Sequence, residues 1–215
     1  MRSERPLPGA RPTTEQPPDP PRVAWRKEMR ARVLREAWQL ASEAGWDRVR
    51  VADLAQRAEV SRPSIYAEFG DRAGIGTALV HQETERFLLG VAEVLAARDS
   101  VPAALEAGVH HALAEAARNP FIRAVVTAAR GGNDALLPFL TSRPEPVFSQ
   151  AWRLVAGWLG EVVPEAPEGR REEAADLVVR LAVSHMLLPG PDLGEASSRV
   201  ARAAGAVLGK VLGGK

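Results

Sequence analysis

The segment VSRPSIYAEFGD, residues 60–71, places a guanidinium and the only tyrosine of the chain a few positions apart. On a helix, Ile65 and Phe69 lie four residues apart on one face, so Arg62 and Tyr66 would point away from a core on that side. A phenol can donate to a phosphate oxygen, and a guanidinium can reach a guanine edge or a phosphate. These residue types indicate a surface that binds DNA. The alternative is that Tyr66 packs under a neighbouring helix.

Ser61 and Pro63 give this segment a helix start. The hydroxyl of a serine that precedes a helix accepts a bond from an otherwise unpaired backbone N–H. Two positions later a proline lies in the first turn, where its missing N–H costs nothing and its fixed φ favours the helix. The pattern predicts a helix over 62–69, on which Pro63 also offers an apolar contact to a thymine methyl.

A second short helix is predicted just before it, from the sequence VADLAQRA over 51–58. Apolar positions of both helices fall where two short helices that cross steeply would face each other, which is helix-turn-helix spacing. Ala55 is small, as a close approach of the helices requires. A plain helical hairpin, held by packing and without DNA binding, is the alternative. The apolar positions are Leu54, Ala55, Ala58, Val60, Ile65 and Phe69.

The remaining elements are also predicted as helices, because apolar residues recur at helical rather than strand spacing. A first helix ends at Gly45, a long helix runs from Asp71 to about Arg98, and two final helices span roughly 168–188 and 192–212. Further helix starts are predicted at Ser100, Asn119, Asp134 and near Pro146. The first helix carries a buried stripe of Met29, Val33, Ala37, Leu40 and Ala44, and a basic cluster of Arg22, Arg26, Lys27, Arg30, Arg32 and Arg35.

Composition restricts the class of protein. The chain has 215 residues, is 46% hydrophobic, and contains no cysteine, which suits a reducing cytoplasm and a sizeable core without a disulfide scaffold or membrane span. No Gly-rich phosphate loop or HExxH motif is present. His110 and His111 are adjacent and would point about 100° apart on a helix, so they cannot form a two-histidine metal face. No catalytic residue, metal or cofactor is expected, and the proline-rich residues 1–21 are predicted to be a disordered tail.

Residues 29–79 resemble the N-terminal DNA-binding domain of the TetR family of transcriptional repressors. The resemblance rests on an aromatic residue after Gly45, the DLAQRA helix, Val60-Ser61, Ile65-Tyr66 and Phe69, together with Arg72 where the family usually has lysine. Beyond these residues it is a resemblance of architecture. It implies an all-α fold with a three-helix DNA-binding domain over 22–72 and a helical effector-binding and dimerisation domain over 73–215.

The resemblance implies that residues 62–69 form the recognition helix in the major groove, with Tyr66 and Arg72 on phosphates. Two positions depart from the family. Arg50 stands where a Thr or Ser usually caps the second helix, and Glu59 stands where glycine is common, which costs roughly 1 kcal/mol if φ is positive there. The predicted DNA-binding residues are Lys27, Arg50, Ser61, Arg62, Pro63, Ser64, Tyr66 and Arg72.

A small effector between the middle helices is likewise implied by the family. The residue types there suggest a largely apolar, uncharged molecule, although ordinary core packing would explain most of them equally well. The predicted effector-binding residues are His110, His111, Phe121, Val125, Thr127, Trp152 and Trp158.

The two final helices carry a broad apolar surface, which internal packing or a partner subunit could cover. The resemblance implies a two-fold homodimer through a four-helix interface, bound to a DNA operator and released by its effector. Without DNA binding, the chain would be a helical interaction module or ligand-binding protein. The predicted interface residues are Leu177, Leu181, His185, Val200, Ala204, Val207 and Val211.

Overall fold

The computed structural model describes residues 21–119, 122 and 145–209, and within these residues every regular secondary-structure element is a helix, as predicted. A short 3-10 helix, Trp46–Arg48, separates the first two α-helices. Helix α1 begins at Pro21, one residue inside the predicted tail, and the predicted helix start at Asp134 lies outside the described residues. The α-helices are α1 (Pro21–Ala44), α2 (Val51–Arg57), α3 (Arg62–Phe69), α4 (Arg72–Ala96), α5 (Val101–Arg118), α6 (Glu145–Val162), α7 (Glu168–Leu187) and α8 (Leu193–Leu208).

The first three helices and the start of α4 enclose one hydrophobic core, which we call the N-terminal core. Trp46 lies at its centre with 1% of its surface exposed, and Ile65 of α3 and Leu79 of α4 are fully buried. The stripe of α1 differs slightly from the prediction, because Leu34 is buried while Leu40 is only partly buried. Ala44 is exposed beside Gly45, whose φ of 84° turns the chain out of the helix.

The turn between α2 and α3 places Glu59 at a positive φ, where a residue other than glycine has backbone strain. Glu59 has a φ of 53° and is the one non-glycine residue with positive φ in the described part of the chain. The Val60 N–H donates to the Ala55 carbonyl at 3.0 Å, which closes the turn. The condition under which glutamate carries a backbone cost at this position is therefore met.

Helix α4 joins the N-terminal core to the rest of the molecule. Its start is capped by Asp71, whose Oδ1 accepts from the Gly74 N–H at 2.7 Å. Gly74 also lies against the end of α3: a Cβ at this position would be 1.8 Å from the Phe69 carbonyl oxygen. Along α4, Ile75 belongs to the N-terminal core and Leu95 to a second core.

The second core, which we call the C-terminal core, is formed by α4 to α8. Helix α8 packs on α5 and α7, and α6 packs on α7 and α4. The buried faces of α5, α7 and α8 are rich in Ala and Val, including Ala104, Ala174 and Ala204, which are fully buried. Small residues let these helices approach closely, so the domain is built mainly by helix packing over short apolar side chains.

Candidate DNA-binding and effector sites

The start of α3 is fixed by the serine predicted to cap it. Ser61 Oγ accepts from the Ser64 N–H at 3.2 Å, and the two hydroxyls lie 2.8 Å apart in a second hydrogen bond. Pro63 occupies the first turn of the helix. The cap satisfies one backbone N–H and proline has none to satisfy, so two of the first positions of the helix need no hydrogen-bond partner from another element.

The outward face of α3 carries the side chains that sequence analysis assigned to it. Ile65 is fully buried and Phe69 is 8% exposed, whereas 49% of Tyr66 is exposed, so the tyrosine does not pack under α1. Arg62 and Pro63 are also exposed. Within the described residues, neither the Arg62 guanidinium nor the Tyr66 hydroxyl has a hydrogen-bond or ion-pair partner. Both polar groups therefore point to solvent from one face of a capped helix.

The basic cluster of α1 is less available to a ligand than the sequence suggested. Arg26 Nε donates to Glu68 Oε2, and Arg30 Nη1 donates to Glu68 Oε1 at 3.0 Å. Arg35 lies 3.8 Å from a carboxylate oxygen of its neighbour Glu36. Sequence reasoning treated these arginines as a surface charge, because nothing in the local pattern shows that a carboxylate of α3 reaches two of them.

Arg72, predicted to bind a phosphate, is held inside its own domain. Its Nη2 donates to the Trp46 carbonyl and lies 3.8 Å from Asp47 Oδ1. Its guanidinium carbon is 5.3 Å from the centre of the Trp46 ring. The side chain thus ties the start of α4 to the 3-10 helix, which is a positioning role that the sequence did not indicate.

The other predicted DNA-binding residues precede α3 in the sequence, Arg50 just before α2 and Lys27 on α1. Arg50 precedes α2 and provides no side-chain cap, as expected from the missing hydroxyl, and its own side chain is exposed. Lys27 is exposed on α1.

The C-terminal core contains a cavity of about 290 Å³ between α4, α5, α6 and α7. Every lining residue that the structure describes is apolar, so an occupant would find no hydrogen-bond partner among these side chains. A charged molecule would lose its hydration there without compensation, whereas a hydrocarbon would bury its surface favourably. The wall includes Phe87, Val91, Val109, Ala112, Phe148 and Val178.

The four described residues that were predicted to bind an effector are not among those that line this cavity. His110 and His111 lie along an open groove on another side of α5, with Arg98 and Glu106. Trp152 Nε1 donates to the Glu172 carbonyl at 3.4 Å, and Trp158 packs partly buried against the core. Phe121, Val125 and Thr127 are outside the described residues. Sequence analysis favoured scarce aromatic and polar residues, but the cavity is formed where small and aliphatic side chains leave space.

A charged network lies near the junction of the two cores. Arg86 of α4 donates to Glu83 at 3.0 Å and to Glu115 of α5 at 3.3 Å, and Glu83 is buried. Burial lowers the pKa of Arg86, but the hydrogen bond and charge of Glu83 and the charge of Glu115 outweigh it, so the pKa is raised. The arginine stays charged and links α4 to α5.

The predicted interface residues separate into two groups. Val200 is 1% exposed and Ala204 is fully buried within the protomer, because that face of α8 packs on α5 and α7. They are internal core, contrary to the prediction. Val211 lies outside the described residues. Leu177, Leu181, His185 and Val207 are only partly buried, and Leu188, just after α7, is 72% exposed.

A helix-turn-helix with an exposed polar face, joined by one long helix to a separate helical domain with an apolar cavity, defines a ligand-responsive regulator that binds DNA. Residues 33–79 match the model of the bacterial regulatory proteins of the tetR family, and residues 100–206 match that of the bacterial tetracyclin repressor C-terminal domain. The chain belongs to the TetR family of transcriptional regulators, whose members bind DNA and respond to ligands.

Individual relatives agree with this assignment. The chain is 24% identical over 177 residues to the HTH-type transcriptional regulator AlkX of Mycobacterium tuberculosis, covering 77% of this chain and 78% of that one. It shares a TM-score of 0.67 and 26% identity with the TetR family repressor AlkX from Dietzia sp., implicated in biodegradation of n-alkanes, over 85% of this chain and 96% of that one. A TetR-family regulator from Pectobacterium atrosepticum shares the fold, with a TM-score of 0.63 and 18% identity over 88% of this chain and 96% of that one. None of the described helices meets the length and apolarity needed to cross a membrane.

Proposed function

We propose that this chain is a repressor that binds a pseudo-palindromic DNA operator as a homodimer and is released by a small, apolar effector. The observation that carries the proposal is the pairing of an exposed polar face on α3 with an apolar cavity on α4, since α4 contacts both α3 and the cavity.

In the DNA step, Arg62 reads a base edge and Tyr66 donates to a phosphate, with Pro63 against a thymine methyl. Arg50 and Lys27 contact the flanking backbone. Arg72 acts indirectly, because its guanidinium is engaged with Trp46. Each protomer has one recognition helix, so strong binding needs two protomers on half-sites about 34 to 36 Å apart.

The homodimer forms through the outward faces of α7 and α8. Leu177 and Leu181 lie one turn apart on α7 and are only partly buried, and Leu188 beyond them is exposed. A two-fold contact between copies of this face would remove these side chains from water. Light scattering should show a dimer at micromolar concentration, and a monomer at that concentration would contradict this part of the proposal.

The effector is a hydrocarbon or a molecule that is mostly hydrocarbon. The described wall of the cavity is apolar throughout, and the Dietzia relative, 26% identical, is implicated in the biodegradation of n-alkanes. An unbranched alkyl chain fits both observations. A ligand whose charge has to be buried fits neither.

Release follows if the effector prefers one position of α4. Helix α4 contributes Phe87 and Val91 to the cavity wall and begins next to the end of α3, where Asp71 caps it and Gly74 lies against the Phe69 carbonyl. A ligand that binds one position of this helix more tightly shifts the population towards it. Because the half-site spacing is fixed by the DNA, a change of spacing between the two recognition helices weakens binding.

A mobility-shift titration tests the whole proposal. The protein is mixed with DNA from upstream of its own gene, and n-decane, 1-decanol and decanoate are then added separately. We expect a specific protein–DNA complex, and we expect n-decane and 1-decanol, the two uncharged compounds, to dissociate it. Tighter binding on addition of the chains would show that the sign of the response is wrong. Binding of charged metabolites alone, measured by thermal shift, would contradict the apolar effector.

A further inference from the structure

Glu68 is an acidic side chain on the helix proposed to enter the major groove, and its carboxylate is almost completely removed from solvent. Only 7% of its side chain is exposed. Both of its oxygens are occupied by α1: Oε2 accepts from Arg26 Nε, and Oε1 accepts from Arg30 Nη1 at 3.0 Å. Arg30 also lies over the ring of the next residue, Phe69, at 5.1 Å.

This contact differs in kind from an ordinary surface ion pair. An exposed pair contributes little, because water screens it and two long side chains lose entropy. Here the shielded carboxylate accepts from two arginines, whose own side chains are 67% and 43% exposed, so it is held at both oxygens and loss of either arginine leaves its charge less well compensated. The contact therefore defines one relative position of α1 and α3.

The geometry of α3 shows what that position controls. The helix has eight residues, too few to be stable alone, so its orientation depends on contacts with its neighbours. Ile65 and Phe69 face the core in a single stripe, which fixes the depth of the helix but leaves rotation about its own axis less restricted. Glu68 projects from the flank of this stripe, about 100° from Phe69, and resists that rotation.

We propose that Glu68 is a positioning residue for operator recognition: held between Arg26 and Arg30, it fixes the rotation of α3 and keeps its charge away from DNA phosphates. The proposal rests on the operator binding proposed above. Rotation of α3 would move Arg62 relative to the base edges, whereas contacts to phosphate tolerate such a change better. The clamp, defined as these three side chains, should consequently affect specific binding more than non-specific binding.

The primary test is Glu68→Gln, which keeps the shape of the side chain and removes its charge. We expect affinity for an operator duplex to fall about tenfold, comparable to the loss of one base contact. Affinity for a random duplex should be unchanged or higher, because a negative charge is lost and two arginines are freed. The dependence of random-duplex affinity on salt should become steeper, by about 0.9 in the log–log slope for each new phosphate contact.

Glu43→Gln is the matched control. Glu43 also pairs α1 with another helix, since it lies 3.7 Å from Arg57 of α2, but both of these side chains are exposed, at 61% and 42%, and the pair joins α1 to α2 rather than to α3. The same change of charge at this position should leave the ratio of operator to random affinity unchanged. Equal losses on both duplexes for Glu68→Gln, or an operator affinity that is unchanged or raised, would overturn the proposal.

A double-mutant cycle with Arg26→Gln separates positioning from general stability. If the clamp acts as a unit, the double variant should bind the operator no more weakly than Glu68→Gln alone. Additive losses on the operator would overturn the proposal. Should Glu68→Gln fail to fold, Arg26→Gln with Arg30 still in place should give a smaller loss confined to the operator, and a loss shared by both duplexes would contradict the clamp. A wild-type protein that prefers no DNA sequence would instead refute the proposed function.

Discussion

The N-terminal and C-terminal cores are stabilised by different kinds of contact between their helices. Around the N-terminal core, charged side chains join one element to another: Glu68 joins α3 to α1, and Arg72 joins α4 to the 3-10 helix. In the C-terminal domain, the Arg180–Asp176 and Arg199–Glu195 pairs, both at 2.7 Å, each lie within a single helix, and Arg86–Glu115 is the ion pair described above that joins two of its helices. Contact between its helices depends mainly on Ala, Val and Leu side chains.

The difference matters because the two kinds of contact constrain geometry differently. Hydrogen bonds to charged groups are directional and define one arrangement, whereas the hydrophobic effect is non-directional and tolerates several. A unit that reads DNA must hold its side chains in a defined arrangement. A unit that accommodates a ligand must have internal space and be able to adjust. The cavity between α4 and α7 is lined by apolar side chains, whose packing is non-directional.

Trp46→Ala should have the largest effect, because it removes the centre of the N-terminal core and the ring under Arg72. We expect the free energy of unfolding to fall by about 3 to 5 kcal/mol. Chemical denaturation followed by circular dichroism measures it. The matched control is Trp25→Ala on α1, where the ring is 50% exposed, and a change within about 0.5 kcal/mol is expected. Similar losses at both positions would remove the basis for treating Trp46 as central.

Arg62→Ala should cost about 1 to 3 kcal/mol in binding to the operator and less on random DNA, since its guanidinium is exposed and unpaired within the described residues. Titration of both duplexes at one fixed salt concentration gives the comparison. An equal loss on the two would show that Arg62 contacts the backbone and that the specificity of the N-terminal unit lies elsewhere.

Ala112→Leu would fill the apolar cavity, since Ala112 lies on its wall and is 6% exposed. Binding of an alkyl effector should weaken about tenfold or more, or roughly 1.4 kcal/mol, while DNA affinity without effector stays the same. Calorimetry with 1-decanol measures the first and mobility shift the second. Ala117→Leu, exposed on the same helix, should change neither. If the two variants behave alike, the cavity is not the effector site.

Tyr66→Phe should weaken binding to operator and random DNA alike, by roughly 0.5 to 1.5 kcal/mol for one hydrogen bond to a phosphate. The melting temperature should not change, because the hydroxyl is unpaired within the described residues. Unchanged affinity together with a lowered melting temperature would assign the tyrosine to folding.

Glu59→Gly should have the smallest effect and the opposite sign. Glycine adopts the φ of 53° found here without the contact between Cβ and carbonyl that other residues suffer, so stability should rise by roughly 0.5 to 1 kcal/mol. Ala58→Gly is the control, because its φ of −82° suits alanine and the change should destabilise by a similar amount. A loss of stability at position 59 would show that the Glu59 side chain contributes more than its backbone costs.

The sequence predicted the N-terminal unit well because its signals are local. Ser61 and Pro63 mark the start of α3, the spacing of Ile65 and Phe69 sets its inward face, and Asp71 marks the start of α4; all three predictions are confirmed. The contacts of Glu68 and Arg72 were not predicted, because their partners lie 38 or 42 and 26 residues away, respectively. A charge pattern on one helix carries no information about a carboxylate that tertiary packing brings to it.

The C-terminal domain was predicted only in outline, because cavities and interfaces are not properties of local sequence. The predicted bounds of the last two helices agree with those of α7 and α8 to within a few residues. Val200 and Trp152, however, were assigned to an interface and an effector site from residue types and the family resemblance. Whether an apolar side chain faces a neighbouring helix, a void or a partner depends on how five helices are arranged, and apolar periodicity is the same in all three cases.

The close contact of Gly74 with the Phe69 carbonyl has a consequence for building hybrid regulators. A side chain at position 74 would collide with the backbone at the end of α3, since even a Cβ would lie 1.8 Å from that oxygen. The end of one helix and the first turn of the next therefore form a single inseparable part. A DNA-reading module transplanted onto another sensor should carry α4 at least through Leu79, the last residue of α4 buried in the N-terminal core, with the splice placed beyond it.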